Sequence, residues 1–142
     1  MVVSVSTMPD TGHRMLIQSY PGGIESGTDW YQNDAGMVLT ETTIAQTPFN
    51  VSGTPVAFRA RRAIQYGGNV DEVVRELGTR NNGLYTNEWL IGDAKNNEIA
   101  MYEPVSYTHL AAEIPWPMRS APKFSAAQID TGVVPSPACA VK

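Results

Sequence analysis

"GMVLTETTI", from Gly36 to Ile44, is the stretch on which the fold turns. Apart from Gly36 and Glu41, its residues are β-branched or apolar, which suits a strand. Val38, Thr40 and Thr42 therefore fall on one side of a strand, and Leu39, Glu41 and Thr43 on the other. If the Leu39 side is the core, Glu41 needs a partner there, because an unpaired buried charge costs several kcal/mol.

Working outward, the segments upstream have the same character. "RMLIQSY" (Arg14–Tyr20) is a short β-prone run stopped by Pro21-Gly22-Gly23. "GTDWYQ" predicts another short strand, and Asn33-Asp34-Ala35-Gly36 a turn. Downstream the period changes. Thr54 is an N-cap residue and Pro55 suits a first helical position. "PVAFRARRAIQY" then places Val56, Ala60, Ala63 and Ile64 at helical spacing. Gly67-Gly68 ends that helix. Asn69 opens a second, with Asp71 and Glu72 in its first turn, Val70, Val73, Val74 and Leu77 as its buried stripe, and Gly78 as its stop. "NNGLYTN" reads as a loop. "EWLIGD" and "EIAMYE" read as strands joined through Ala94–Asn97 as a hairpin. Strands, two helices, then strands predict an α+β fold: an antiparallel sheet with two helices on one face. Met15, Met37 and Met101 are expected in the core.

Composition narrows the function classes. The chain has 142 residues, one domain's worth, and 42% of them are hydrophobic. A net charge of -4 does not suit nucleic acid, which needs a basic surface. No apolar run approaches the ~20 residues of a transmembrane helix. "MVVSVSTMPD" has no basic segment and breaks at Pro9, so no signal peptide is expected. A single cysteine, Cys139, excludes an internal disulfide framework and a Cys-based zinc site.

After Glu103 the sequence becomes rich in Pro, Ala and Ser without a sustained period. "VSYTHL" (105–110) resembles one reading frame of a transposon-derived sequencing adapter. Residues 1–103 are therefore expected to form the domain, and 104–142 a disordered or non-native tail. His109, Trp116 and Cys139 are left out of the site on that ground.

Few residues point to chemistry by themselves. There is no phosphate loop, no His-x-x-x-His pair and no Gly-x-Ser-x-Gly elbow, and no metal or cofactor is implied. His13 lies in a turn, where a lone histidine is a solvated or capping group. Asp29, Asp34, Asp93 and Glu103 are scattered, and their spacing pairs none of them. Arg59, Arg61 and Arg62 lie on the first helix, and at least one is expected to turn inward, where it could clamp Glu41. Asn81, Asn82 and Asn87 crowd one loop. Asparagine there is ordinary turn chemistry, although a rigid carboxamide can also serve a developing oxyanion.

Taken together, "IQSYPGGIESGTDWY", "GMVLTETTI", an Arg-bearing helix, "NNGLYTNEW" and "LIGDAKNNEIAMYE" follow one another as they do in the phospholipase B-like proteins, which this chain resembles from about Gly12 to Glu103. These are hydrolases of the N-terminal nucleophile class, related to the penicillin acyltransferase-like cysteine hydrolases. The resemblance implies a four-layer αββα sandwich and self-cleavage that exposes a cysteine. The cysteine thiol attacks an acyl carbonyl and its α-amine serves as base. It further implies supporting catalytic roles for Thr43, Asn81 and Arg59, substrate contacts from Tyr85 and Trp89, and a structural pairing for Glu41. The substrate implied is a small-molecule acyl ester or amide, phospholipid being one candidate. The compartment implied is secreted, periplasmic or lysosomal. No cysteine precedes Cys139, so the nucleophile is expected upstream and the chain is expected to be an inactive internal fragment that lacks part of its own domain. The alternatives are an amidase or acyltransferase of the penicillin acyltransferase-like group, and a non-catalytic binding module.

Overall fold

A computed structural model describes residues 1–45, 48–104 and 124–125. The chain runs β1 (Val3–Thr7), β2 (Met15–Ser19), β3 (Trp30–Asn33), β4 (Met37–Ala45), α1 (Val56–Tyr66), α2 (Val70–Gly78), β5 (Thr86–Asp93) and β6 (Glu98–Tyr102). A two-residue β7 (Phe124–Ser125) pairs with Glu98 and Ile99. The strands lie side by side in chain order and each neighbouring pair is antiparallel. This is the α+β arrangement that the periodicity predicts. Among the described residues the sheet and its helices form two layers. Among the described residues no helix is long and apolar enough to cross a membrane. Apart from β7, the tail expected from Val105 onward lies outside the described residues.

One face of the sheet is the core. Met15 and Ile17 of β2, Tyr31 of β3, Met37 and Leu39 of β4, and Trp89 and Ile91 of β5 bury their side chains there. The period-2 alternation leaves Leu16 and Leu90 on the opposite face, partly open to solvent. The helices cover the core face. Ala60, Ala63 and Ile64 of α1 and Val70, Val73, Val74 and Leu77 of α2 are buried, the stripes read from the 3.6-residue period.

Buried polar groups pin the layers together. The Asn33 side chain donates to the carbonyls of Ile64 (2.8 Å) and Gly67 (2.9 Å) and accepts from the Met37 amide (3.0 Å). A single side chain thus fixes the end of α1 to the β3–β4 turn. Arg59 turns inward and is 2% exposed. Its guanidinium donates to the Thr54 carbonyl (2.9 Å) and to the Leu77 carbonyl, locking the start of α1 to the end of α2. Burial lowers its pKa to about 10, with the Tyr102 hydroxyl acting in the opposite direction.

Several expectations are corrected. The clamp between Arg59 and Glu41 does not form, because two backbone carbonyls take the guanidinium first. Arg61 reaches Gln65 (3.4 Å), and Arg62 pairs with Glu76 (2.8 Å) above the Tyr66 ring. The cap of α1 is Pro55 rather than Thr54, since Thr54 is drawn into a parallel bridge with Asn81. Met101 is only half-buried, on the face away from the helices, opposite Leu90. Strand β1 was not anticipated, although the alternation Val3-Ser4-Val5-Ser6-Thr7 carries its signal.

Candidate functional site

The site grows from the register of β3 on β4. Trp30 pairs with Thr40 and Tyr31 with Leu39, so the next step of that ladder sets Asp29 against Glu41. On the other side β5 sets Trp89 against Glu41 and Asn87 against Thr43. Residues directly opposite in an antiparallel pair share a face. Leu39, Glu41 and Thr43 therefore share the core-facing side with Ile91, Trp89 and Asn87. A register shift between Thr43 and Ala45 marks a bulge at that end of β4, a feature often found next to active sites.

The loop before β3 is held by hydroxyls. Ser26 Oγ donates to the Gln18 carbonyl (2.9 Å) and accepts from the amides of Thr28 (3.2 Å) and Trp30 (3.0 Å). Ser19 Oγ donates to the Glu25 carbonyl (2.6 Å). These bonds keep Asp29 in a left-handed conformation, φ 57°. Across the site Tyr85 has φ 51°. Left-handed backbone is costly for a side chain as bulky as tyrosine, and such strain concentrates at functional sites.

Between them lies a pocket of about 200 Å³ walled by Glu25, Asp29, Glu41, Tyr31, Tyr85 and Trp89. Tyr31 and Trp89 are buried, with ring centroids 6.3 Å apart, whereas Tyr85 stands 44% exposed at the rim. Burial is the first reason that the Glu41 carboxyl is pushed up to about 7, and the adjoining Asp29 carboxyl is the second. Asn87 and Tyr85 lie close enough to oppose that shift. Glu25 is raised as well, by burial and then by Asp29. Two carboxyls that meet in a partly dry pocket share a proton more readily than they ionise together.

Asp29 is thus the residue that sequence reading missed. It sits twelve residues from Glu41 in the chain, and only the β3–β4 register brings the two together. The turn-prone "SGTD" before a strand was the available signal.

Tyr85, Trp89 and Glu41 meet in the pocket, as walls of one cavity. Thr43, Asn81 and Arg59 do not line it. Thr43 is exposed on β4, directly opposite Asn87. Asn81 is bound into the loop: its Oδ1 accepts from the Gly83 amide (2.9 Å) and its Nδ2 donates to the Pro104 carbonyl (3.2 Å). Asn87 differs. It is 1% exposed, yet neither its Oδ1 nor its Nδ2 makes a hydrogen bond of good geometry, and the neighbouring Glu41 Oε2 is likewise unsatisfied. Buried carboxamides are normally bonded, and the group that Asn87 serves is the Glu41 carboxyl, whose rise it opposes; Asn87 itself does not line the pocket. Among the described residues no group of three or more His, Cys, Asp and Glu is arranged to hold a metal ion.

The family model described as Phospholipase B matches residues 3–119. No curated protein matches the chain closely enough to count.

Proposed function

The chain belongs to the phospholipase B family, and from that premise we propose that it forms part of a hydrolase acting on acyl ester or amide bonds, with the polar part of the substrate seated between Asp29, Glu41 and Tyr85. The hydrolase class follows from the family. The observation that carries the rest is the carboxyl pair of Asp29 and Glu41 in a pocket walled by two residues of left-handed backbone, Asp29 and Tyr85, with the Asn87 carboxamide buried beside Glu41.

In this reading the nucleophile is a cysteine freed at a new N-terminus and lying upstream of these residues. Its thiol attacks the acyl carbonyl, the alcohol or amine leaves with a proton, and water releases the acid from the thioester. The tetrahedral oxyanion needs a donor; Asn87 Nδ2 keeps an N–H beyond the one it can give Glu41, whereas Asn81 is held in its loop by both ends of its carboxamide. We therefore assign the oxyanion role to Asn87, and a place beside it to the Thr43 hydroxyl. Arg59 and Asn81 act as positioning residues. The second sheet of the αββα sandwich would lie on the face that carries Leu16 and Leu90. The carboxyl-lined pocket suits a polar leaving group better than an acyl chain, because an apolar tail would desolvate three carboxyls without bonding them.

The test is expression with the upstream coding sequence, followed by assay of acid release from ester and amide substrates. N87A should lower kcat by roughly 10²–10³, the loss typical of one oxyanion donor. A fully active N87A enzyme, or an active enzyme without the upstream cysteine, would overturn the assignment.

A further inference from the structure

The segment that follows β4 runs along the loop that leads into β5 and is pinned to it at three points. Ala45 pairs with Thr86, the Asn50 amide donates to the Asn82 carbonyl (2.9 Å), and Thr54 bridges Asn81. Side chains that the core does not take stand on these two adjoining loops. Phe49 is 59% exposed and Val51 84%, and Leu84 and Tyr85 are open to solvent as well. So is Phe58, one helical turn beyond Thr54. Tyr85 also walls the pocket, so the apolar patch and the pocket share a rim.

Charge is segregated in the same way. The chain carries 14 acidic residues, yet none lies between Glu41 and Asp71 or between Glu76 and Glu88. Those two stretches hold Arg59, Arg61, Arg62 and Arg80 instead. Arg59 is buried and Arg62 pairs with Glu76, but Arg80 is exposed. Its guanidinium donates to the Ser52 carbonyl (2.6 Å), which sets its charge next to Val51 in the patch.

We propose that this end of the molecule docks on the surface of an anionic phospholipid bilayer, with Phe49, Val51 and Leu84 entering the acyl boundary and Arg80 meeting the phosphates. Tyr85 suits the headgroup level, where its ring is apolar and its hydroxyl stays wet. A net charge of -4 gives the chain as a whole no attraction to such a surface, so binding has to come from this acid-free end. A second copy of the chain fits less well. A patch of this kind is on the order of a few hundred Å², and each partner in a stable dimer buries about 800 Å². As a claim about how substrate reaches the pocket the inference rests on the hydrolase reading; as a claim about docking it does not.

The experiment is cosedimentation of the 142-residue chain with vesicles of phosphatidylcholine, alone or mixed with phosphatidylserine. The mixed vesicles should bind it roughly fivefold tighter, the effect of one arginine near a charged membrane surface. R80Q should erase that difference and leave binding to phosphatidylcholine unchanged. V51S alters a side chain that stands clear of the core, so its thermal melt should match wild type while binding to both vesicles falls several-fold. F49S/V51S should weaken both by roughly tenfold or more. L16S/L90S, on the outer face of the sheet, should change neither. A wild-type chain that stays in the supernatant, or an L16S/L90S variant that loses as much as F49S/V51S, would overturn the proposal. So would a dimer that V51S dissociates while vesicles leave the chain unbound. Vesicle binding by a chain whose longer form hydrolyses nothing would sink the hydrolase reading and leave the docking surface standing. Hydrolysis of soluble esters without vesicle binding would do the reverse.

Discussion

Replacing Glu41 with Gln isolates the cost of keeping a carboxylate in this pocket. The folded protein raises Glu41 from its ordinary 4.5 to about 7, chiefly through burial and then through Asp29. The sign follows from proton linkage. Between those two pH values the folded state holds a proton that the unfolded chain has released, so stability falls as pH rises. Below 4.5 both states are protonated and the cost vanishes; above about 7 it is present in full. The gap between 4.5 and about 7 corresponds to about 3 kcal/mol for a fully desolvated group. Glu41 is only half-buried, and solvent screening reduces the figure to roughly 1–2 kcal/mol. E41Q keeps the shape and removes the charge. Its stability relative to wild type should therefore match at pH 4, climb between pH 4.5 and 7, and level off above. Urea unfolding followed by tryptophan fluorescence would measure it, since Trp89 is buried against Glu41. A difference between E41Q and wild type that did not change with pH would refute the reasoning, because the carboxyl would then have an ordinary titration in the folded state.

Two further outcomes are expected. R59M should cost about 2–4 kcal/mol in the same assay, since it strands the Leu77 and Thr54 carbonyls, and R59K should recover little because an ammonium lacks the guanidinium fork; a loss under about 0.5 kcal/mol would mean that the helices are not locked there. D29N should bring the Glu41 titration, read by carbon-13 NMR of its carboxyl, below about 7 but not to 4.5, because burial outlasts the loss of the neighbouring charge; an unchanged midpoint would separate the two carboxyls.

Much of the scaffold is legible in residue spacing. The two-residue period over Met37–Ala45 and the 3.6-residue period over Val56–Gly78 are local properties of the chain, and packing had no reason to override them. Asn69 was readable as a cap because its side chain serves an amide three residues on, Glu72 N at 3.0 Å. Even the inward turn of one arginine was foreseeable, since three of them cannot all leave an amphipathic helix on its wet side.

Partners were another matter. Arg59 chose carbonyls at the ends of both helices over Glu41, a choice set by how α1 and α2 dock. Asn81 and Asn87 look alike in the sequence, yet one is spent on a loop and the other is buried beside the Glu41 carboxyl; strand pairing opposite Thr43 makes the difference. Asp29 meets Glu41 only because β3 and β4 pair in one register and three loop hydroxyl bonds hold the backbone left-handed. Spacing along a chain determines which face a side chain takes. Burial, proton affinity and unsatisfied bonds depend on what other segments bring to that face, and those belong to the tertiary structure alone.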